Sequence, residues 1–266
     1  DKHSGTDIRV ATMAEAKEGV NVLAAANGTV LGARDEMEDV SVTGPTTSIA
    51  NRECGNGVVL QHKGGWQTQY CHLMRGSITV KVGDTVTQGT RLGKIGMSGA
   101  AEVPHLHLSV RNPKQQHVDP FNSTLMESGC TKPEGKSLWA AAANMPRYPE
   151  AALLAVGFAE SPPEVADIIN GQHRASTLPS TTPALVFWAL AGTLTAGDTL
   201  VTTLYDTEGT VMATGTHSAE SDKAQYFAFS GKKNRATLPP GVYSGKAVLA
   251  RNGTVRQTLT GSVTVK

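Results

Sequence analysis

The sequence predicts an all-β protein, in which a compact antiparallel β domain is followed by an immunoglobulin-like β-sandwich. The first observation behind this fold class is a repeated pattern of short apolar or alternating runs, separated by turns that contain Gly, Asn or Asp. The second is the composition: 266 residues include 28 glycines and only 5% aromatic residues. Such a composition is typical of turn-rich β proteins and not of helical bundles.

The charge balance excludes several classes of partner. Lys and Arg number 24 against 23 Asp and Glu, and no basic block is present. We therefore expect no binding of nucleic acid or of an anionic membrane surface. No apolar run reaches the roughly 20 residues that cross a bilayer, so we expect no membrane span. No signal peptide is visible, and the abrupt start predicts that an upstream piece was removed or lies outside the sequence.

The first predicted domain covers residues 1–122. Its Asn27-Gly28 pair predicts a hairpin, Lys63-Gly64-Gly65 predicts a turn, and helix is expected only around 11–17. The predicted strands are 20–26, 29–32, 57–62, 66–73, 77–82, 91–96 and 105–111. Residues 123–150, rich in Ser, Gly, Pro and Lys, are predicted to be a linker.

The second predicted domain covers residues 151–266 and is the immunoglobulin-like sandwich. Asn252-Gly253 predicts a hairpin between its last long strands, and Tyr243 is a candidate corner residue of such a fold. The predicted strands are 153–158, 184–189, 199–205, 211–214, 225–229, 242–250, 254–259 and 262–265. We find no chemistry-bearing motif in this half and interpret it as an accessory domain.

The three cysteines are Cys54, Cys71 and Cys130, and none forms a Cys-x-x-Cys pair, which argues against a structural zinc site. Cys54 and Cys71 flank a predicted hairpin, so a disulfide between them is favoured over two free buried thiols. Cys130 is either free or paired with a cysteine outside this sequence.

The candidate chemistry centres on Pro104-His105-Leu106-His107-Leu108. Side chains two apart on a strand share a face, so His105 and His107 project together. Alone, such a pair is more typical of two half-buried strand residues than of a metal site. His3 with Asp7, and His72 at the end of a predicted strand, bring the set to one carboxylate and four imidazoles. Imidazole and carboxylate side chains are the groups that form catalytic zinc sites in proteins.

Three motifs follow one another along the chain: His-(x)3-Asp, then Tyr-x-His-Leu, then His-Leu-His-Leu. Their order resembles that of the lysostaphin-type (LytM-domain) zinc metallopeptidases, which are peptidoglycan endopeptidases. The resemblance covers about residues 1–121. It includes the lead-in Val82-Gly83-Asp84…Gly89…Leu92-Gly93…Gly96…Ser98-Gly99…Pro104 and the early Val22…Ala24-Ala25…Gly28-Thr29-Val30 segment.

The resemblance implies a role for each site residue. The implied ligands of one zinc ion per chain are His3, Asp7 and His107, and the implied catalytic residues are His72 and His105. Three protein ligands leave a fourth position open for water, as catalysis requires. The chain has no His-Glu-x-x-His motif in which a glutamate is the base. His105 is then the natural proton acceptor, and His72 stabilises the developing oxyanion or shares the proton transfer.

Several residues depart from the family pattern or have a structural interpretation. Ser109 and Leu108 stand where family members often carry Glu and Phe, and we expect them to leave the five site positions untouched. Residues 101–103 replace the usual Ser-Thr-Gly in a loop expected to rim the cleft. We expect His62 to be a structural strand residue, Tyr70 a packed aromatic and His117 a surface-loop residue. The acidic cluster Asp35, Glu36, Glu38 and Asp39 is interpreted as a solvated loop.

The leading hypothesis is a secreted or periplasmic zinc endopeptidase that hydrolyses peptide bonds in peptidoglycan cross-links or stems by attack of a zinc-activated water. Its second domain would bind the wall, bind a partner protein or serve as a spacer. One alternative is a non-catalytic member that activates another wall hydrolase. The other is a zinc protease that acts on glycine-rich proteins.

Overall fold

The computed structural model describes residues 3–42, 49–126, 135–141 and 151–266. The chain divides into two compact units, Asp1–Arg147 and Tyr148–Lys266. The predicted bounds of the linker stay a prediction; most of that stretch, Cys130 included, lies outside the described residues. Over the described ranges, no helix is both long and apolar enough to cross a membrane.

In its described residues, the first unit contains eight strands and one short helix, with a 3-10 turn at Lys63–Gly65. The elements are β1 (Thr6–Arg9), α1 (Met13–Gly19), β2 (Asn21–Leu23), β3 (Gly28–Arg34), β4 (Asn56–Gln61), β5 (Gln67–Leu73), β6 (Thr85–Val86), β7 (Arg91–Lys94) and β8 (His105–Arg111). Six of the strands form one antiparallel sheet in the order β1-β8-β5-β4-β3-β6, and β2 pairs with β7.

The core of this unit lies against one face of the six-stranded sheet. Leu106 and Leu108 of β8 pack there with Tyr70 and Leu73 of β5 and with Ile8 of β1. Since side chains alternate along a strand, His105 and His107, which alternate with these leucines, face the other way. Burial of the leucines, about 2 kcal/mol each, therefore determines which face of β8 carries the polar residues.

The second unit contains two sheets, with strand orders β10-β16-β15-β12-β13 and β14-β11-β9. Its elements are β9 (Ala152–Ala159), α2 (Val165–Ile169), β10 (Thr177–Leu178), β11 (Ala184–Leu194), β12 (Asp198–Tyr205), β13 (Val211–Ser218), β14 (Lys223–Lys233), β15 (Gly241–Arg251) and β16 (Thr254–Val265). Both sheets contribute to one core, for example Phe187 from β11 and Leu249 from β15. The hydroxyl of the buried Tyr243 donates to the Pro239 carbonyl at 3.0 Å.

The predicted all-β class with antiparallel sheets is confirmed. The immunoglobulin-like assignment of the second unit stays a prediction. The two-residue loop at Asn252-Gly253 joins β15 to β16, and both of its residues have positive φ, 50° and 76°. Such values are typical of the tight turns favoured by an Asn-Gly pair.

Three local predictions are wrong. Asn27-Gly28 does not form a hairpin, because β2 pairs with β7 while β3 pairs with β4 and β6. The Asn27 carbonyl instead accepts a hydrogen bond from His62 Nδ1. Residues 77–82 are not a strand, and the Ile78 N–H donates to the Asp35 carboxylate. The strands predicted at 254–259 and 262–265 are one continuous strand, β16.

Candidate metal centre and active site

Three potential metal ligands converge where β1 meets β8. The antiparallel register places Asp7 directly opposite His107, and residues paired in this way project from the same face of a sheet. The Nδ1 atom of His107 lies 2.9 Å from Asp7 Oδ1, and His3 Nε2 lies 3.0 Å from the same oxygen. The donor atoms of all three residues lie within 4.8 Å of one another.

The chemistry of this trio fits a zinc ion. Two imidazole nitrogens and one carboxylate oxygen are ligands that zinc accepts, and three protein ligands leave one tetrahedral position open. The side chains of His3 and Asp7 are 42% and 44% exposed, so the site is reached from solvent. Although burial raises it, the hydrogen bonds from His107 and His3 hold the pKa of Asp7 well below its usual value. The carboxylate is therefore charged at neutral pH.

A second group of donor atoms adjoins the first. His72, His105 and His107 also lie within 4.8 Å of one another. The ring centroids of His72 and His105 are 4.6 Å apart, and His105 Nε2 lies 3.6 Å from Asp7 Oδ1. Because His107 belongs to both groups, all five site residues named from the sequence form one continuous patch. Their individual roles stay predictions.

His72 reaches this patch through an irregularity in β5. Strict alternation from Cys71, which is paired with His107, would turn His72 toward the core. Instead β5 carries one extra residue relative to β4, where Asn56 pairs with Leu73 and Val58 with Tyr70. His72 itself has a φ of 61°, a left-handed conformation that is rare for a residue with a side chain. The bulge re-aims the imidazole into the site.

Backbone carbonyls set the tautomers of both candidate catalytic histidines. The Nδ1–H of His72 donates to the Ser98 carbonyl and that of His105 donates to the Val103 carbonyl, each at 2.7 Å. A carbonyl oxygen only accepts, so in each neutral ring Nε2 carries the lone pair. Burial lowers the pKa of His72 to about 4, and burial also lowers the pKa of His105. Both rings are therefore neutral proton acceptors at neutral pH.

A buried hydrogen-bond network supports the peptide that orients His72. Ser98 Oγ donates to the Leu73 carbonyl at 2.8 Å and accepts from the Asn56 N–H at 2.9 Å. The Asn56 side chain also bonds both backbone groups of Met37. Ser98 and Asn56 are fully buried, where unpaired polar groups are costly, so the network holds the Ser98 carbonyl in place.

The acidic cluster is more ordered than a solvated loop. Asp39 accepts bonds from the backbone N–H groups of Arg75 and Met97, and Asp35 accepts from those of Gly76 and Ile78. Burial raises the pKa of Asp39. These carboxylates tie the loop after β3 to the segments that flank the site, which the interpretation as a solvated loop does not anticipate.

The expected disulfide joins Cys54 to Cys71. Cys71 is the residue paired with His107 across β5 and β8. The Cys54 carbonyl accepts a bond from the His72 N–H at 2.8 Å. The cross-link therefore stands directly beside two of the site histidines.

Two polar residues near the ligands differ from expectation. The Ser109 hydroxyl lies 3.2 Å from His107 Nε2, so Ser109 contacts a site residue. His117 is half-buried and forms a hydrogen bond with the backbone of Ser4, so it is not a plain surface-loop residue. Both contacts depend on how the strands pair, which the sequence does not show. The one relevant feature in the sequence is that Ser109 follows His107 by two residues, on the same face of the strand.

His62 and Tyr70 have the structural roles expected of them. His62 Nε2 lies 2.7 Å from Thr68 Oγ1, which in turn lies 3.1 Å from the Tyr70 hydroxyl. Tyr70 is buried in the core and its oxygen accepts a bond from the Ala25 N–H. This chain of contacts joins strands of the first unit.

Comparison with known proteins gives a family match for the first unit. The model of peptidase family M23 matches residues 1–120. The cell division protein DipM of Caulobacter vibrioides is 32% identical over 124 residues, which are 45% of this chain and 17% of DipM. The peptidoglycan DD-endopeptidase ShyA of Vibrio cholerae is 45% identical over 53 residues, 20% of this chain and 12% of ShyA. The chain thus spans less than a fifth of the length of these relatives.

Among solved structures, one similar chain is a mutant catalytic domain of the prophage-encoded M23 protein EnpA from Enterococcus faecalis. It is 26% identical with a TM-score of 0.34, and the match covers 45% of this chain and 77% of that one.

Proposed function

Residues 1–120 are a domain of peptidase family M23, and we propose that the protein is a zinc-dependent endopeptidase that hydrolyses peptide bonds in the cross-links or stems of bacterial peptidoglycan. The observation that carries the proposal is the convergence of two neighbouring donor groups that share His107. The relative ShyA is named a peptidoglycan DD-endopeptidase, which supports this substrate.

In this proposal His3, Asp7 and His107 hold one zinc ion. When bound there, zinc supplies a Lewis acid that polarises the scissile carbonyl and lowers the pKa of a water molecule. The low pKa of the Asp7 carboxyl supports its role, since a ligand must be deprotonated.

His105 and His72 perform the proton transfers. Each has a lone pair on Nε2 and a fixed Nδ1–H bond, so each accepts a proton only at the nitrogen that faces the site. Once protonated, Nε2–H becomes a donor to the developing oxyanion or to the leaving amine. The lowered pKa of both rings favours the return of that proton to the amine.

We further propose that the protein works in the periplasm or after secretion, where peptidoglycan is found. The Cys54–Cys71 disulfide supports an oxidising compartment. The second unit is proposed to be an accessory domain that binds wall material or a partner protein, because both clusters of candidate metal ligands found in the described part of the chain lie in the first unit.

Zinc content and clearance of purified sacculi test the proposal together. We expect one zinc per chain after dialysis and a fall in sacculus turbidity with the wild type. His107→Ala should lose both zinc and clearance, whereas His173→Ala, which changes a histidine of the second unit, should keep both. A wild-type chain that holds no zinc and leaves sacculi intact would overturn the proposal.

Two outcomes would favour the alternatives. Zinc binding without cleavage, combined with stimulation of a second wall hydrolase, would support an activator. Faster cleavage of a glycine-rich protein than of sacculi would support a protease of that class.

A further inference from the structure

We propose that Ser109 is a positioning residue of the metal centre: its hydroxyl ties the segment that carries His3 and Asp7 to β8 and holds the His107 ring through its second nitrogen. This inference rests on the proposed zinc site. Ser109 lies two residues after His107 on the same face of β8, and it is fully buried.

The hydroxyl of Ser109 bridges two groups. Ser109 Oγ lies 3.0 Å from the Ser4 carbonyl oxygen and 3.2 Å from His107 Nε2. A hydroxyl has one proton, and a carbonyl oxygen only accepts, so the Ser109 proton is donated to Ser4. The oxygen of Ser109 is thereby left to accept a hydrogen bond from an Nε2–H of His107.

This contact suits a metal bound beside Asp7. His107 Nδ1 lies 2.9 Å from Asp7 Oδ1, and a carboxylate oxygen only accepts, so without metal Nδ1 carries a proton. A zinc ion held by these residues would replace that proton, and the remaining Nε2–H would donate to Ser109. Such a partner on the other ring nitrogen restrains rotation of the imidazole and raises its basicity as a ligand.

The same hydroxyl anchors the other two proposed ligands. Ser4 lies between His3 and Asp7 in the chain, and its backbone also bonds the half-buried His117. The neighbouring Gly5 passes so close to β8 that a Cβ there would lie 2.5 Å from His107 Nε2. Ser109 therefore couples the position of the N-terminal ligand segment to the orientation of the third ligand.

Zinc affinity measured by competition with a chelator tests the inference without relying on activity. We expect Ser109→Ala to bind zinc about 10- to 100-fold more weakly than the wild type. Ser109→Thr, which keeps the hydroxyl, should recover most of the loss. The matched control is Ser230→Ala, which removes another buried strand hydroxyl, one with no hydrogen-bond partner, and should leave the zinc affinity unchanged.

Hydrogen exchange of the zinc-depleted full chain measures the tie itself. Peptides that cover residues 3–9 should exchange faster in Ser109→Ala than in the wild type, because the bond from Ser109 to the Ser4 carbonyl is lost, whereas peptides from β15 should not change. A Ser109→Ala chain that keeps both the zinc affinity and the exchange of the wild type would overturn the inference. A wild type that binds no zinc would instead overturn the proposed function, while the exchange still decides the role of Ser109.

Discussion

At the scale of single residues, the site depends on what each imidazole does with its second nitrogen. The Ser98 and Val103 carbonyls take the Nδ1–H of His72 and His105, and Ser109 faces Nε2 of His107. These partners leave Nε2 of the two proposed catalytic histidines without a backbone partner, whereas His107 presents Nδ1 to Asp7. Neighbouring imidazoles are thereby held by different ring nitrogens.

Gly5→Ala should weaken zinc binding. A Cβ at this position would lie 2.5 Å from His107 Nε2 and 2.8 Å from the Leu108 carbonyl, and the backbone of β8 cannot move away cheaply. The added methyl should push the segment between His3 and Asp7 off β8 and reduce zinc affinity about tenfold or more. Chelator competition measures this effect.

The matched control is Gly32→Ala, since a Cβ at Gly32 meets nothing within 4 Å and its φ is not positive. Its zinc affinity should equal that of the wild type. Equal affinity in the Gly5→Ala chain would contradict the close approach of this segment to His107.

That the five candidate residues lie together could be predicted from the sequence, because the order and spacing of their motifs are visible without knowledge of the fold. Their roles stay predictions. The orientation of His72 could not, because a one-residue bulge leaves no trace in the apolar pattern of β5. The network around Asn56 and Ser98 was missed for a related reason: its partners are separated by up to 42 positions along the chain.

At the scale of elements, β8 combines the core and the site in one strand. Its leucines face the core, its histidines and Ser109 face the site, and its two neighbours β1 and β5 supply the remaining residues. A shift of one residue in the β1–β8 register would separate Asp7 from His107. The apolar contacts of Leu106 and Leu108 oppose such a shift.

Removal of the disulfide should loosen the centre of this sheet. In the Cys54→Ser/Cys71→Ser chain, a covalent link across a sequence separation of 17 is lost. We expect a loss of about 3 kcal/mol in the free energy of local unfolding around β4 and β5. Native-state hydrogen exchange of peptides that cover these strands measures it, and the reduced wild type should behave alike.

Peptides from β15 are the internal control, because the second unit contains no cysteine. Unchanged exchange in β4 and β5 after reduction would show that the cross-link adds nothing to the stability of this region.

Gly245→Ala should destabilise the second unit by about 2 kcal/mol through overpacking. A Cβ at Gly245 would lie 2.1 Å from the ring of Phe187, a fully buried core residue. The cross-strand partner offers a matched control: Gly261 pairs with Gly245, and a Cβ there approaches no atom closer than 3.4 Å. Gly261→Ala should therefore cost little.

Urea unfolding followed by Trp188 fluorescence measures both variants, in a Trp66→Phe/Trp139→Phe background that leaves Trp188 as the only tryptophan. Equal midpoints for the two alanine variants would contradict the packing described for β15 against β11.

The positions of the strands along the chain could be predicted well, but which strands pair with one another could be predicted less well. The run at Asn27-Gly28 has ideal hairpin chemistry, yet tertiary pairing of β2 with β7 and of β3 with β4 overrides it. Residues 77–82 alternate like a strand, but the N–H groups of Ile78 and Lys81 bond the carboxylates of Asp35 and Asp84 instead of a neighbouring strand. A local pattern does not say which distant group will satisfy a backbone N–H.

At the scale of the whole molecule, the two units differ in the chemistry that they carry. In the described ranges, both groups of potential metal ligands belong to the first unit, and the M23 match ends at residue 120. The second unit has a large shared core between two sheets. Its apolar pattern was visible in the sequence, whereas its binding partner leaves no comparable pattern and stays a proposal.

The central claim is hydrolysis of peptidoglycan peptide bonds with His105 as a proton-transfer residue. Mass analysis of the fragments released from purified sacculi by the zinc-loaded wild type and by His105→Ala tests it most directly. The wild type should release muropeptides with a new amine and a new carboxylate at a single type of bond. His105→Ala should release these fragments at least about 100-fold more slowly. Intact sacculi with the wild type, or equal release by both chains, would contradict the claim.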